Sequence, residues 1–142
     1  TIRAFDSDTQ TSVIEGLKKV LEGIATSTDV TYDLKYSKGY PPVINTERET
    51  DLILEATKEI DSVEELVELE ASLGGEDFSY YQQRVPGAFF YTGTRNEHFK
   101  ADFPHHHPKF DIDEQGLINA VRIFLLTTFK FMERNDIHDI ND

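Results

Sequence analysis

The sequence predicts an α/β fold, in which helices pack on a sheet. Three observations support this: apolar residues at helical spacing from Val13 to Ile24, alternation of apolar and polar residues over positions 30–36, and a continuous apolar run at positions 88–92. Apolar residues that recur every 3.6 positions mark one face of a helix, whereas alternation with period two marks a half-buried strand. Helices and strands that alternate along a chain are typical of α/β layers.

The first 40 residues predict a strand, a helix and a second strand. Residues 1–5 alternate in polarity, and Ser7 with Gln10 forms a capping-box pattern, which satisfies free N–H groups at a helix start. The helix is expected to end within residues 26–29, before the strand at 30–36. Because two strands and a helix are too little for a stable sheet, we expect strands from another segment or a second chain to complete it.

Gly39, Pro41 and Pro42 predict a stiff connector that separates this section from the rest. Beyond it, the sequence predicts a helix capped by Thr46 and Glu49, then a strand, a short helix, another strand and a long last helix. These later elements lie at residues 67–73, 78–84 and 88–92, and the last helix follows Asp113, its expected cap. Its wide apolar surface, from Leu117 to Phe129, predicts a mostly buried helix, and residues 135–142 are predicted to be a frayed polar tail.

Composition excludes several function classes. The chain has 142 residues, suited to one ordinary domain, and 14 Lys and Arg against 27 Asp and Glu leave a formal charge of −13. That charge argues against nucleic-acid binding, which needs cations to neutralise phosphates. The absence of Cys excludes disulfides, and no apolar run approaches the roughly 20 residues that span a bilayer. We expect a cytoplasmic protein whose partners are small molecules, metals or protein rather than a membrane.

A Pro-bounded loop at residues 103–113 carries His105, His106 and His107, three of the five histidines of the chain. Neutral imidazole is the commonest protein metal ligand. A catalytic zinc usually takes three protein ligands and a water, and neighbouring side chains of an extended segment point in different directions. The other ligands must therefore come from elsewhere. The alternative is an exposed polar loop that binds metal only adventitiously.

A second polar loop, residues 74–81, follows a predicted strand. Gly74 and Gly75 permit positive φ and close approach of the backbone to a ligand. Glu76 and Asp77 could bind a metal, orient a ligand histidine or accept from a substrate N–H. The alternative is that Glu76 or Asp77 only caps the short helix that follows.

The chain resembles known enzymes in several segments, which occur in the same order over nearly its whole length. They are residues 1–6 (TIRAFD), 40–45 (YPPVIN), 75–81 (GEDFSYY), 85–93 (VPGAFFYTG) and 104–114 (PHHHPKFDIDE). Together they resemble the C-terminal part of the dinuclear-metal amidohydrolases. That group contains hippurate hydrolase, indole-acetyl-amino-acid hydrolases and bacterial N-acyl-amino-acid deacylases.

The resemblance implies a fold and a domain division. In that family a metallopeptidase-like α/β domain is interrupted by a small lid, or dimerisation, domain of ferredoxin-like layout. By resemblance, residues 1–40 are the second half of the lid, 41–134 are the C-terminal part of the catalytic domain, and 135–142 are the tail. The implied cofactors are two divalent ions, Zn, Mn, Co or Ni, of which this chain supplies one ligand.

The resemblance also implies residue roles. The final metal-ligating histidine of the family stands two positions before a proline, which is His106 here. In the family the metal site uses a Cys, a His, a pair of Glu and two further His. The Cys-Gly-His-Asp type segment, the adjacent Glu pair that carries the general base, and the earlier lid segment have no counterpart in this chain. Residues expected to bind substrate or line the cleft are Glu76, Asp77, His105, His107 and Arg3. For Arg3, which would meet a substrate carboxylate, a solvated surface charge is the alternative.

We therefore expect a fragment of a metal-dependent amidohydrolase that cleaves the amide bond of N-acyl-amino acids or small peptides. The parent would be an enzyme that forms homo-oligomers, and the chain alone would be inactive. The alternative is a non-catalytic dimerisation or assembly module, or a truncated gene product. The coding sequence upstream of Thr1 would discriminate between these readings, because an enzyme needs the missing ligands in the same frame.

Overall fold

The computed structural model describes residues 1–134, and the predicted tail at 135–142 lies outside this range. Within it are four α-helices and one 3-10 turn, which runs over Glu97–Phe99. The α-helices are α1 (Ser7–Thr28), α2 (Glu47–Thr57), α3 (Phe78–Gln82) and α4 (Gln115–Arg134). None of the helices in this range is long and apolar enough to cross a membrane.

The predicted strands do not pair into a sheet within residues 1–134. The β-type pairing in this range is an isolated antiparallel bridge between Asn96 and Ala101. The segments 1–5, 30–36, 67–73 and 88–92 carry no strand. Alternation of polarity shows which face a segment would bury, but a strand forms only where a neighbour supplies its ladder of hydrogen bonds. The α/β layers and the ferredoxin-like half are therefore not confirmed by these residues.

Contacts divide the chain into two units. Unit 1 comprises Thr1–Ile44 and Leu69–Pro86, and unit 2 comprises Asn45–Glu68 and the described residues from Gly87 onward. The predicted boundaries at residues 40 and 134 rest on sequence composition and on the resemblance, and they stay predictions.

Helix α1, in unit 1, is capped by Asp6 and not by the predicted Ser7, which is the first residue of the helix. The Asp6 carboxylate accepts 2.7 Å hydrogen bonds from both the backbone N–H and the hydroxyl of Thr9, and these bonds lower its pKa. Asp29 ends the helix in the left-handed conformation, φ 60°. Gln10 is buried, but Val13 and other members of the apolar stripe are exposed, so the predicted packing on a sheet is not formed.

In unit 2, helix α2 packs against α4 around a small apolar core. The buried apolar side chains of that unit are Leu52, Ala56, Ile60, Ala101 and Ile123. Polar contacts extend the interface: the Ser62 hydroxyl donates to the Asn119 side chain at 2.6 Å, and Lys130 pairs with Glu59. These contacts fix α4 relative to α2.

Two predictions about helix ends in unit 2 differ in outcome. Thr46 is the N-cap of α2, but its hydroxyl donates to the Glu49 carboxylate, so the side chain does not cap a backbone N–H as a capping box would. Asp113 does cap α4, because its Oδ1 accepts from the N–H of Gln115 at 2.9 Å.

The prediction that α4 is mostly buried is wrong for the described residues. Gly116 and Ile123 are buried, whereas Val121 is 58% and Phe124 62% exposed. The apolar face consists of Leu117, Ile118, Val121, Phe124, Leu125 and Phe129, all of them exposed. A face of this width is suited to pack against a large apolar surface, and residues 1–134 do not provide one.

Candidate functional site

The histidine loop of unit 2, residues 103–113, is fixed at its end by Asp113. The Asp113 N–H donates to the Thr94 carbonyl at 2.9 Å, and the Asn96 side-chain amide donates to Asp113 Oδ2 at 2.5 Å. The bond from Asn96, followed by the bond from the Gln115 N–H, lowers the pKa of the Asp113 carboxyl. Asp113 thus connects the loop, residues 94–96 and the start of α4 as a fixed anion.

Gly116 allows this close approach. A Cβ at that position would lie 2.6 Å from Thr94 Cγ2 and 2.9 Å from the Gly93 carbonyl oxygen. Neither distance is possible for a real side chain, so the first turn of α4 contacts residues 93–94 only because position 116 is glycine. The loop between them is held at both ends.

Two of the three histidines are engaged within the loop. The His107 ring stacks on Phe103, with centroids 4.3 Å apart and planes 13° apart, and its Nδ1 accepts from the Lys109 N–H at 3.1 Å. The His105 ring meets Phe110 edge to face at 4.9 Å. Aromatic contacts of this kind hold each imidazole in one orientation.

His106 is different from both neighbours. It is exposed, its φ is 67°, and within residues 1–134 its side chain forms no hydrogen bond, ion pair or ring contact. A left-handed backbone costs a non-glycine residue about 1–2 kcal/mol, and such strain concentrates at functional sites. Neither ring nitrogen of His106 is engaged by a protein group within residues 1–134, so the imidazole can offer one of them to a ligand.

A complete metal site is not present in the described part of the chain. No group of three or more His, Cys, Asp or Glu side chains in residues 1–134 could hold a metal ion. Imidazole nitrogen with no protein partner fits a single ligand to zinc or a similar divalent ion. The donor set thus fits a contribution of one ligand, and the other ligands would come from outside this range.

The second loop, in unit 1, is organised around α3. Glu76 Oε1 accepts from the Phe78 N–H at 3.3 Å, and the Glu76 carbonyl accepts from the Ser79 hydroxyl at 2.6 Å. This favours the helix-capping alternative for Glu76. Asp77 is the N-cap residue but its exposed carboxylate makes no capping bond. Helix α3 ends at Gln82, two residues before the predicted end.

Gly75 is needed for close approach and not for positive φ. Neither Gly74 nor Gly75 has a positive φ, contrary to one use expected of these glycines. A Cβ at position 75 would lie 2.3 Å from Nη1 of Arg3 and 3.3 Å from the Tyr40 ring. The Arg3 guanidinium therefore lies directly against the Gly75 backbone, and Arg3 forms no ion pair within residues 1–134.

Unit 1 also contains an open cavity of about 450 Å³. Tyr80 lines it, and the Tyr80 ring meets Tyr40 edge to face at 5.6 Å. The other lining residues are Lys38, Gly39, Pro41, Gln83 and Arg84, so two cations border the opening. In a chain of charge −13, this positive border is suited to an anionic group.

The structure groups the candidate residues into two sets. His105, His106 and His107 share the loop of unit 2, whereas in unit 1 Arg3 lies against Gly75, the residue that precedes Glu76 and Asp77. Sequence reasoning missed Asn96 as the partner of Asp113. The available signal was an Asn that precedes a short polar turn, since Asn accepts from the backbone two residues on, as Asn96 does from the His98 N–H.

Comparison with known proteins identifies the family. The model of the peptidase family M20/M25/M40 matches residues 4–129. The chain belongs to this family. The recognised resemblance to metal-dependent amidohydrolases and metallopeptidases is thereby confirmed.

Individual relatives of this M20 chain support the assignment. It is 36% identical over 87% of its length to a protein of Bacillus subtilis named as an amidohydrolase, covering 31% of that protein. It is 31% identical over its whole length to N-acetyl-L-cysteine deacetylase of Bacillus subtilis, covering 32% of it. Thermostable carboxypeptidase 1 of Saccharolobus solfataricus is 32% identical over 94% of the chain and 34% of the relative.

A solved structure agrees with these relatives. A crystal structure described as an aminohydrolase from methicillin-resistant Staphylococcus aureus superposes on this chain with a TM-score of 0.67. The two sequences are 31% identical, and the match covers 85% of this chain and 32% of that one. The chain spans about a third of the length of the relatives it matches. The similarity therefore covers one part of these proteins.

Proposed function

We propose that this chain is part of a metal-dependent amidohydrolase that cleaves the amide bond of N-acyl-amino acids or small peptides, and that it supplies His106 as a metal ligand. The single observation that carries the proposal is the His106 ring, which has no partner within residues 1–134 and stands on a strained backbone. The resemblance assigns the final metal ligand to the same residue. Relatives named as a deacetylase and as a carboxypeptidase support linear amide substrates.

In this proposal His106 would hold one of two divalent ions, Zn, Mn, Co or Ni, which when bound would polarise the amide carbonyl and lower the pKa of a water. The residues of this chain have supporting roles. His107 and His105 hold the loop through Phe103 and Phe110, which fixes the position of His106. The general base lies outside this chain.

On the substrate side, Arg3 binds a carboxylate of the substrate. Guanidinium offers a planar pair of donors that matches a carboxylate, and Arg3 has no competing ion pair within the described residues. Asp77 lines the cleft with its exposed carboxylate, while Glu76 supports the start of α3.

The fold that we propose for the complete enzyme restores the α/β layers. Residues 1–40 form half of a ferredoxin-like lid, and residues 41–134 form the end of the catalytic domain. The unpaired segments gain ladder partners from other parts of the enzyme, which we place in the cytoplasm. Homo-oligomers form through the lid.

A second candidate function is a non-catalytic assembly module. The observation that favours it is the exposed apolar face of α4 together with that of α1. A module of this kind would associate but would bind no metal through His106. Metal content therefore separates the two candidates.

The decisive experiment compares three substitutions in the full-length protein. His106→Ala should lose bound metal and deacylation of N-acetyl- or N-benzoyl-amino acids together. His105→Ala and His107→Ala should keep most of the metal, with a reduction in rate of about 10–100-fold, as is usual for residues that support a ligand. The chain of 142 residues alone should show no turnover with added manganese, zinc or cobalt.

Two results would contradict the proposal. If His107→Ala is the variant that empties the site, the ligand assignment is wrong by one residue. Turnover by the short chain that disappears on His106→Ala would show that this chain is an enzyme by itself.

A further inference from the structure

We propose that Gly75 is a positioning residue for Arg3, and that the absence of a side chain at position 75 sets the preference of the enzyme for substrates with a free α-carboxylate. The inference rests on the proposed function, since it requires that Arg3 binds the substrate carboxylate. Beyond the proposed function, it assigns a role to Gly75, which takes no part in the metal chemistry, and it gives a physical reason why substrates with a free α-carboxylate are preferred.

The geometry leaves no room for a side chain at position 75. An added Cβ would lie 2.3 Å from Nη1 and 3.2 Å from Cζ of Arg3, whereas real Cβ atoms do not approach other atoms within 3.0 Å. The Tyr40 ring borders the same space at 3.3 Å. The guanidinium therefore occupies the volume that any larger residue at position 75 would fill.

The chemistry of that position suits a carboxylate. Arg3 has no ion pair within residues 1–134, although Glu76 and Asp77 directly follow the glycine that it contacts. A guanidinium that can lie in this position when the substrate arrives needs less rearrangement on binding, so its two-point hydrogen bond to a carboxylate is more favourable. Gly75 leaves that position open.

Substitution at position 75 should move Arg3 and leave the backbone in place. The φ of Gly75 is not positive, so alanine is compatible with the backbone there. The atom within 3.0 Å belongs to the far end of the flexible Arg3 side chain, which can swing away at little cost, and the Tyr40 ring at 3.3 Å has to give by only a few tenths of an ångström. Gly75→Ala should therefore fold normally and displace the guanidinium.

Gly74→Ala is the matched control. A Cβ at position 74 would meet only the Ser72 hydroxyl, at 3.6 Å, an ordinary van der Waals distance. The two variants make the same chemical change in adjacent glycines of one loop. They differ in whether the new methyl group meets Arg3.

The test measures kcat and KM of the full-length, metal-loaded enzyme for an N-acetyl-amino acid and for the corresponding amino-acid carboxamide, which lacks the carboxylate. Gly75→Ala should raise KM for the free acid about tenfold or more, the effect of losing one charge-assisted interaction, and change kcat by less than about twofold. The carboxamide should be cleaved as by the wild type. Gly74→Ala should match the wild type on both substrates.

A double-mutant cycle completes the test. Arg3→Gln should reproduce the loss that is specific to the carboxylate, and Gly75→Ala should add nothing in the Arg3→Gln background, because both changes act through one guanidinium. Additive losses, equal losses on both substrates, or an unchanged KM in Gly75→Ala would each overturn the inference. Loss of the fold in Gly75→Ala would also overturn it, since the guanidinium would then not be the group that yields.

The failures of the two proposals can be distinguished. A wild-type enzyme that cleaves neither substrate refutes the proposed function, and the inference with it. A wild-type enzyme that cleaves the free acid while Gly75→Ala behaves like Gly74→Ala refutes only the role of Gly75.

Discussion

Replacing His106 with Gly is expected to remove bound metal from the full-length protein and to stabilise its metal-free fold. The backbone at position 106 has a φ of 67°, which costs a residue with a Cβ about 1–2 kcal/mol. Glycine avoids this strain but loses about 0.5–1 kcal/mol more conformational freedom on folding. The imidazole forms no hydrogen bond, ion pair or ring contact within residues 1–134 that would be lost. The net gain should be about 0.5–1 kcal/mol.

His106→Ala is the control, because alanine removes the imidazole but keeps the strain. Urea unfolding of the metal-free proteins should order the stabilities as Gly above Ala, with Ala near the wild type, and thermal midpoints should differ by a few degrees. Metal content after dialysis should be low in both variants. A His106→Gly protein that retains its metal would refute the ligand assignment, and one less stable than His106→Ala would refute the strain argument.

Two further predictions follow from unit 2. The 142-residue chain should sediment as dimers or larger species at micromolar concentrations, because the α4 face is exposed, and Val121→Glu should shift it toward monomer; a sharp wild-type monomer would count against this. The bond from Asn96, and then that from the Gln115 N–H, holds the pKa of Asp113 below its ordinary 3.8. Asp113 therefore stabilises the fold fully at a pH above 3.8, and this stability is lost as the pH falls through the lowered pKa. Thermal melts should therefore show a deficit for Asp113→Asn at neutral pH that shrinks below pH 3.8, and a deficit constant with pH would exclude this role.

Helices were predictable because their signals are local. The stripe from Val13 to Ile24 predicts α1 without reference to any other segment, and the position of Asp113 before the apolar run predicts the cap of α4. The error at the start of α1 has a simple cause. Asp6 and Ser7 are both good caps, and the residue whose carboxylate reaches Thr9 is decided by geometry that the sequence does not show.

The strands and the details of the site depend on distant residues. Period-two alternation at 30–36 describes a face, but pairing needs a partner that residues 1–134 do not provide. Likewise, the cluster of three histidines between prolines indicates the loop, and the resemblance selects His106. That His105 and His107 are engaged by Phe110 and Phe103 emerges only when the loop is folded.

The exposed apolar faces and the unengaged histidine have one physical explanation. A helix with the apolar width of α4 is stabilised by covering that face. His106, at a φ of 67°, carries backbone strain inside the turn that the bond from the His107 N–H to the Pro104 carbonyl closes, and its imidazole has no partner within residues 1–134. In the enzyme that we propose, other parts of the fold cover α4, and a metal ion bound by His106 offsets the strain. The exposure of the α4 face and the backbone strain at His106 would then both be offset when the complete enzyme assembles. Metal binding and burial of the α4 face should therefore stabilise the same folded state.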